Sequence, residues 1–194
     1  MPFLIIGLGN PGPRYAETRH NAGFWFLDRL AEIAGATFKT QTRLLSETAR
    51  VSLHGQDCIL ARPTTFMNHS GQSVRAVMDY YKTTAAELMV AYDELDLPPG
   101  VTRLKLGGGH GGHNGLRDIF RHSADQNFLR LRIGIGHPGN KDAVTAYVLS
   151  RATAAQERLM RDSISHAADV MPRILSGDVA GAMTELHTVK EDGL

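Results

Sequence analysis

The chain has 194 residues, of which 42% are hydrophobic and 21% charged, and its formal net charge is +1. This composition is typical of an ordinary globular protein, and the length predicts one domain, residues 1–194, with a sizeable core. The single cysteine excludes a disulfide framework and a zinc site made only of thiolates. No apolar run approaches the roughly 20 residues of a membrane span, so we expect a cytoplasmic protein without a membrane partner.

Strands and helices alternate in the first half of the chain. Short apolar runs predict strands, and apolar residues three and four apart predict helices. In chain order these are strand 3–7, helix 22–34, strands 48–53 and 58–62 joined as a hairpin around Gly55-Gln56-Asp57, and helix 70–82. Asn21 is predicted to cap the first helix, and Gly35 to end it.

The second half continues the alternation. It predicts strands 88–92, 102–106 and 128–135, a helix 114–121 capped by Asn114, a helix from 154 to about 175, and a last helix after Asp178. Thr153 and Gln156 have the spacing of a capping box for the longer helix. The alternation predicts an α/β fold, with a single-domain, twisted, mixed and mostly parallel sheet surrounded by helices.

Basic residues are concentrated in one segment. Residues 101–135 hold six basic and two acidic side chains, whereas residues 156–194 hold four basic and seven acidic ones. The basic ones are Arg103, Lys105, Arg117, Arg121, Arg130 and Arg132. Such a cluster could contact phosphates, but from charge alone a solvated face balanced by the acidic segment is the simpler interpretation.

A glycine run follows the first strand. Residues 7–12 fit the dinucleotide pattern G-x-G-x-x-G, whose mechanism requires a helix to begin at the glycines. Pro11 lies inside the run and Pro13 beside it, and no apolar stripe begins before Asn21, which argues against a nicotinamide or flavin site. We interpret the glycines as allowing a tight turn beneath a bound group.

Polar side chains follow the predicted strands. Asn10, Asn68, Asp93 and Asn114 each come at or after the end of a strand, and His20 lies in the connection after the first strand. Ligands of open α/β sheets bind beyond the carboxyl ends of the strands. We therefore expect these five side chains to meet at one rim of the sheet.

This set of residues suits hydrolysis of an acyl bond by activated water. A neutral imidazole can accept a proton near neutral pH, and a carboxylate bonded to its other nitrogen fixes the tautomer. Carboxamides can donate to a developing oxyanion and to a peptide-like carbonyl. An ester suits the set better than an amide, because its leaving group is easier to expel. Singly, each residue also fits an ordinary structural role, such as a helix cap or a turn.

Other chemistries have weaker support. No serine lies in a G-x-S-x-G elbow, no Walker motif occurs, and Cys58 lies inside an apolar strand. His110 and His113 lie three apart, but no cysteine or glutamate at ligand spacing accompanies them, so we predict neither a metal nor a cofactor. Phe66 and Met67 precede Asn68, as core residues or as an apolar floor of the site.

Five separate motifs occur in a fixed order. They are Gly7-Leu8-Gly9-Asn10-Pro11-Gly12 with Tyr15 and Thr18-Arg19-His20-Asn21; Met67-Asn68 with Ser70-Gly71; Asp93-Glu94-Leu95-Asp96-Leu97-Pro98; the run 107–115, ending in Gly112-His113-Asn114-Gly115; and Arg132-Ile133-Gly134-Ile135-Gly136-His137-Pro138-Gly139. By these motifs the chain resembles the bacterial peptidyl-tRNA hydrolases, from Phe3 to about Leu149.

The resemblance implies a monomeric enzyme that cleaves the ester between a peptide and the 3′-terminal ribose of tRNA and so recycles tRNA. It implies that His20 accepts the proton, that Asp93 stabilises its basic form, and that Asn10 helps to distinguish N-blocked from free aminoacyl-tRNA. The residues expected at the acceptor end or the peptide are Tyr15, Phe66, Met67, Asn68, His113 and Asn114. Our candidates for phosphate contact are Arg103, Lys105, Arg130 and Arg132, and the glycine loop 107–112 is a candidate gate.

Two other classes of function remain open at the level of sequence. The glycine run and the α/β pattern would also fit a nucleotide-binding module, and the basic segment would also fit a tRNA-binding protein without chemistry. A co-purifying dinucleotide would favour the first alternative. Tight binding of acylated tRNA without release of the acyl group would favour the second.

Overall fold

A seven-stranded sheet forms the centre of the computed structural model, which describes residues 1–188. The order of the strands across the sheet is β2-β3-β4-β1-β5-β7-β6. The strands are β1 (Phe3–Gly7), β2 (Lys39–Gln41), β3 (Ser46–Leu53), β4 (Gln56–Pro63), β5 (Leu88–Glu94), β6 (Thr102–Leu106) and β7 (Leu129–Gly134).

The sheet is mixed, as predicted. The four central strands β4, β1, β5 and β7 pair in parallel, and the β2–β3, β3–β4 and β6–β7 pairs are antiparallel. Three parallel and three antiparallel pairs make the expectation of a mostly parallel sheet wrong in this detail, because both edges of the sheet are antiparallel. β6 therefore runs opposite to β7 and ends at the other edge of the sheet from the carboxyl ends of the parallel strands. The chain after β6 must return to reach that rim.

Helices cover both faces of the sheet. They are α1 (Ala22–Ala34), α2 (Ser70–Tyr81), α3 (Asn114–His122), α4 (Val144–Val148), α5 (Ala154–Asp169), α6 (Met171–Leu175) and α7 (Val179–His187). One hydrophobic cluster joins α1, α5, α6 and α7 to one face, and a second cluster joins α2 and α3 to the other. Alternation along the strands separates the clusters, since Ile5 belongs to the first and its neighbours Leu4 and Ile6 to the second.

The glycine run serves the approach of α1 to the sheet. A Cβ atom on Gly7 would lie 2.2 Å from the carbonyl oxygen of Gly23, and one on Gly9 would lie 2.8 Å from the ring of Phe24. These two glycines are therefore needed for packing against α1, and their interpretation as a turn beneath a bound group stays a prediction. No helix begins at the run, because the first α-helix starts at Ala22, and this removes the basis of the dinucleotide site.

Most predicted elements are confirmed, and the differences have local causes. The hairpin turns at His54-Gly55 rather than at 55–57, and both turn residues have positive φ. The capping box is present, with Gln156 N–H donating to Thr153 Oγ1 over 3.2 Å. The helix from 154 ends at Asp169, because Pro172 lies in the first turn of a new helix. Within residues 1–188, no helix is long and apolar enough to cross a membrane.

Candidate active site

Two imidazoles share one buried carboxylate near the carboxyl end of β5. Asp93 is 3% exposed, its Oδ2 lies 2.8 Å from His20 Nδ1, and its Oδ1 lies 2.8 Å from His113 Nε2. His20 comes from the 3-10 turn Arg19–Asn21 that leads into α1, and His113 comes from the residue before α3. A carboxylate only accepts hydrogen bonds, so both ring nitrogens that face it carry protons.

Hydrogen bonds at both ring nitrogens fix the tautomer of His113. Its Nδ1 accepts from the backbone N–H groups of Gly115 and Leu116, over 3.1 and 3.4 Å, which makes it the cap of α3. The cap predicted at Asn114 is thus one residue too late, because the imidazole reaches the free amides of the first turn. Both nitrogens of His113 are occupied, and this ring has no lone pair for a substrate.

His20 differs from His113 in its second nitrogen. Its Nε2 makes no hydrogen bond to any side chain or backbone group in residues 1–188, and its side chain is 11% exposed. Burial lowers the pKa of His20, but the charge of Asp93 and the hydrogen bond to it outweigh burial, so this pKa lies above its ordinary value of 6.5. His20 therefore offers an imidazole lone pair strengthened by a carboxylate.

Asp93 stays ionised in this arrangement. Burial raises the pKa of its carboxyl, but the two neighbouring imidazoles and their hydrogen bonds hold this pKa well below its usual range. The carboxylate fixes the tautomer of His20 with the proton on Nδ1, and it stabilises the imidazolium that forms when Nε2 takes a second proton.

A buried arginine fixes the turn that carries His20. Arg19 is 6% exposed, with Nη1 2.6 Å from Ser150 Oγ and Nη2 3.1 Å from Gln156 Oε1. Its guanidinium lies over the ring of Tyr147, 3.9 Å from the ring centre. Apart from the position of Arg19 next to His20, no pattern in the sequence indicates this contact, because its partners lie more than 120 residues away.

Three hydrogen bonds position Asn10. Its backbone N–H and C=O both bind the carboxamide of Asn21, over 2.9 Å each, and its Oδ1 accepts from the backbone N–H of Met67 over 2.7 Å. Its Nδ2 has no hydrogen-bond partner among the described residues and is left as a donor. Asn21 occupies the predicted cap position, but its side chain makes no capping bond and positions Asn10 instead.

Asn68 and Asn114 are exposed at the starts of two packed helices. Asn68 lies in the turn before α2, and Asn114 is the first residue of α3. The Gly71 N–H of α2 donates to the carboxylate of Asp118 over 2.8 Å, which joins the start of α2 to the middle of α3. Met67 is buried beside Asn68. Its sulfur packs so closely against Gly115 that a Cβ atom on that glycine would lie 2.6 Å from the sulfur.

An aromatic pair joins two loops at the same rim. The ring of Tyr15 meets the ring of Phe66 edge to face, with 6.1 Å between their centres. Phe66 is 55% exposed, which is high for so large an apolar side chain, and Tyr15 is half-buried. Such exposed ring faces suit stacking with unpaired nucleotide bases.

The four candidate phosphate contacts are not equivalent. Arg103 pairs with Arg132 and Lys105 with Arg130 across strands β6 and β7, so all four share one face of the sheet. Lys105 is exposed, Arg103 is half-buried, and Arg132 Nε donates to Glu94 over 2.8 Å. Arg130 is 1% exposed, so its predicted phosphate contact is wrong: the guanidinium is turned inward onto backbone carbonyls.

The two histidines and the aspartate also have the spacing of metal ligands. One potential ligand atom from each of His20, Asp93 and His113 lies within 4.8 Å of the others. The two ring nitrogens that face Asp93 carry protons, however, and a protonated nitrogen has no lone pair for a metal. The arrangement is a hydrogen-bonded triad, and His110 is not part of it, since its Nδ1 accepts from Gly112 N–H.

The chain is similar to known proteins over nearly its whole length. The family model described as peptidyl-tRNA hydrolase matches residues 4–193. A peptidyl-tRNA hydrolase of Shewanella halifaxensis is 50% identical over 188 residues, which are 96% of this chain and 97% of the relative. One from Stenotrophomonas maltophilia is 52% identical over 187 residues, again 96% and 97% of the two chains. The crystal structure of peptidyl-tRNA hydrolase from Acinetobacter baumannii aligns with a TM-score of 0.93 at 48% identity, covering 96% of this chain and 95% of that one.

Proposed function

The chain belongs to the peptidyl-tRNA hydrolase family, and we propose that it cleaves the ester bond between a peptide and the 3′-terminal ribose of tRNA. Hydrolysis of peptidyl-tRNA returns free tRNA to translation, so we expect a cytoplasmic enzyme. As the motifs imply, we also expect the active species to be a monomer, for which sedimentation of the purified protein is the direct test.

The observation that carries the mechanism is the difference between the two imidazoles. His113 uses both nitrogens within the protein, whereas His20 uses only Nδ1 and keeps Nε2 free of protein partners in the described part of the chain. His20 is therefore the general base. Its Nε2 takes a proton from water as the water oxygen attacks the acyl carbon, and Asp93 stabilises the resulting imidazolium.

The second half of the reaction returns the proton. Collapse of the tetrahedral intermediate breaks the bond between the acyl carbon and the ribose oxygen. The His20 imidazolium gives its proton to that oxygen, so that a free ribose hydroxyl and a peptide carboxylic acid result and the base is restored. The acid then loses its remaining proton to solvent and leaves as the carboxylate. The carboxamide N–H groups of Asn10, Asn68 and Asn114 are our candidates for stabilising the oxyanion and for binding the peptide backbone.

Asn10 is the best oriented of these carboxamides. The Met67 N–H occupies its oxygen, so its Nδ2 is the group left to donate to a substrate. Arg117 Nη1 lies 3.3 Å from Asn114 Oδ1 and biases that carboxamide in the same way. Donors of this kind can bind the additional carbonyl of a peptidyl group, so we expect them to discriminate against free aminoacyl-tRNA, whose amine carries a charge instead.

The acceptor end of the tRNA would lie across the aromatic pair and the basic face. Tyr15 and Phe66 offer ring surfaces to the unpaired terminal bases. Lys105, Arg103 and the partly exposed Arg132 remain our candidates for phosphate contact, with Lys105 the most accessible.

Release of an acyl amino acid from N-acetyl-aminoacyl-tRNA tests the proposal. The protein is incubated with this substrate with and without EDTA, and with free aminoacyl-tRNA as the matched control. We expect release of the N-acetyl-amino acid in both the presence and the absence of EDTA, and much slower release from free aminoacyl-tRNA. Tight binding without release would instead support a binding protein without chemistry.

A further inference from the structure

A buried guanidinium on β7 has a set of partners that phosphate binding does not explain. Arg130 is 1% exposed; its Nη1 and Nη2 donate to the carbonyl oxygens of Gly109 and Gly108, each over 2.5 Å. Its guanidinium carbon lies 5.2 Å from the ring centre of Phe120 and 5.1 Å from that of Phe128. Among residues 1–188 no carboxylate forms an ion pair with it.

Such a charge is costly to bury. A buried cation needs partners that replace its hydration, and here two backbone carbonyls and two aromatic faces supply them. Its Nε finds no hydrogen-bond partner in the described residues. An apolar side chain would fill the same space without this cost, so the specific contribution of Arg130 is its pair of hydrogen bonds to the loop.

The loop that Arg130 binds connects two points near opposite ends of β5. Because β6 is antiparallel to β7, Leu106 pairs with Leu129, near the start of β5, whereas His113 contacts Asp93 near the end of β5. Residues 107–112 must therefore run back along the face of the sheet. Five of these six residues are glycines, which offer no side chains to hold that path.

The anchored part of the loop is continuous with the site. Gly109 is four residues before His113 and five before Asn114. The ring of His110 packs against Phe120, with 5.9 Å between centres, and Phe120 in turn covers the Arg130 guanidinium. Arg130 and Phe120 thus fix the first half of the loop. Gly111 and Gly112 in the second half are exposed, and a Cβ atom added to either would meet no atom of the described residues within 4 Å.

We propose that Arg130 is a positioning residue: by binding the carbonyls of Gly108 and Gly109, it sets the path of loop 107–112 and thereby places His113 on Asp93 and Asn114 at the rim. The inference rests on the proposed function, since His113 and Asn114 matter only if this rim is the site of ester hydrolysis. It assigns Arg130 a role distinct from that of its cross-strand neighbour Lys105, whose ammonium is exposed.

The test compares Arg130→Met and Arg130→Lys with Lys105→Ala. For Arg130→Met we expect kcat to fall about 10- to 100-fold, as is typical when catalytic groups shift by about an ångström. We expect the slope of log(kcat/KM) against log salt to stay at the wild-type value, because no phosphate contact is lost. Arg130→Lys should recover part of kcat, since an ammonium can bind one of the two carbonyls.

Hydrogen exchange supplies a readout independent of activity. In Arg130→Met, amides of residues 108–113 should exchange faster, while those of β1 and β5 keep their protection. Arg132→Met, two residues along the same strand, is the matched control and should leave exchange in the loop unchanged. This measurement decides the inference even if the wild-type protein releases no acyl group, which would refute the proposed function instead.

Three results would overturn the inference. A salt slope about one unit smaller in Arg130→Met would mean a lost phosphate contact. Unchanged exchange in residues 108–113 would mean that the loop needs no anchor. Faster exchange spread equally over β1, β5 and the loop, in both Arg130 variants, would mean a role in overall stability alone.

Discussion

Replacing Asp93 with Asn should disable His20 by reversing its tautomer. The carboxamide has one acceptor and one donor end, but two imidazoles compete for the acceptor. Capping of α3 fixes His113 with its proton on Nε2, so His113 takes the carboxamide oxygen. The NH₂ group then faces His20 Nδ1, the proton of His20 moves to Nε2, and the base loses its lone pair toward water.

The size of this effect follows from the hydrogen bonds involved. Turning the carboxamide oxygen back to His20 would leave the buried N–H of His113 unpaired, which costs about 1–3 kcal/mol and leaves about 10- to 100-fold fewer molecules with a competent base. Loss of the carboxylate charge also removes stabilisation of the imidazolium. We expect kcat of Asp93→Asn to fall about 10²- to 10⁴-fold in total.

The same reasoning predicts that a second substitution restores activity. His113→Ser keeps a residue type favoured at helix caps, but its side chain is too short to reach Asp93. In the double variant of Asp93→Asn and His113→Ser, the carboxamide oxygen is free to turn to His20. We expect its kcat to exceed that of Asp93→Asn by about tenfold, because the two imidazoles no longer compete for the carboxamide oxygen.

Single-turnover release of the acyl group, measured for the wild type, both single variants and the double variant, gives the complete cycle. Binding of the substrate is measured in parallel, so that a change in affinity is not mistaken for a change in rate. If the two substitutions simply multiply their losses, the competition between the imidazoles has no part in catalysis. If Asp93→Asn keeps nearly the wild-type kcat, the orienting role of Asp93 is refuted.

Three further results are expected. The pKa of His20 is raised, and only the neutral ring accepts a proton. The plot of kcat/KM against pH should therefore rise with a midpoint above pH 6.5. A midpoint below pH 6.5 would contradict the contact with Asp93. Lys105→Ala should reduce the salt slope of kcat/KM by about one unit, and an unaltered slope would place the phosphate contacts elsewhere. Asn21→Ala should lower kcat/KM about tenfold by freeing the backbone of Asn10, which steady-state assays would detect, whereas near-normal kcat/KM would make Asn21 a structural residue alone.

Much of the rim could be predicted because the ends of apolar runs are local properties of the sequence. Asn10 and Asp93 follow or end strands of the parallel centre of the sheet, where the rule for open α/β sheets applies. Asn114 reaches the same rim for a reason that the sequence did not show. Strand β6 is antiparallel, and only the glycine loop returns the chain to the site.

The roles of individual side chains were harder to predict, because they depend on partners distant in sequence. His113 and Asn114 are adjacent, and both residue types can accept from backbone amides, so sequence alone could not show which caps α3. A count of charges along the sequence cannot distinguish a buried arginine from an exposed one. The apolar neighbours of Arg130 in strand 128–135 were the available signal, since side chains on an inner strand are covered on both faces.

The most direct test of the central claim is the rate of acyl release by His20→Ala on bound N-acetyl-aminoacyl-tRNA in a single turnover. His166→Ala, which removes an exposed imidazole of α5, serves as the matched control. We predict that His20→Ala binds the substrate as the wild type does and releases the acyl group about 10²- to 10⁴-fold more slowly. Release at nearly the wild-type rate would show that another group activates the water.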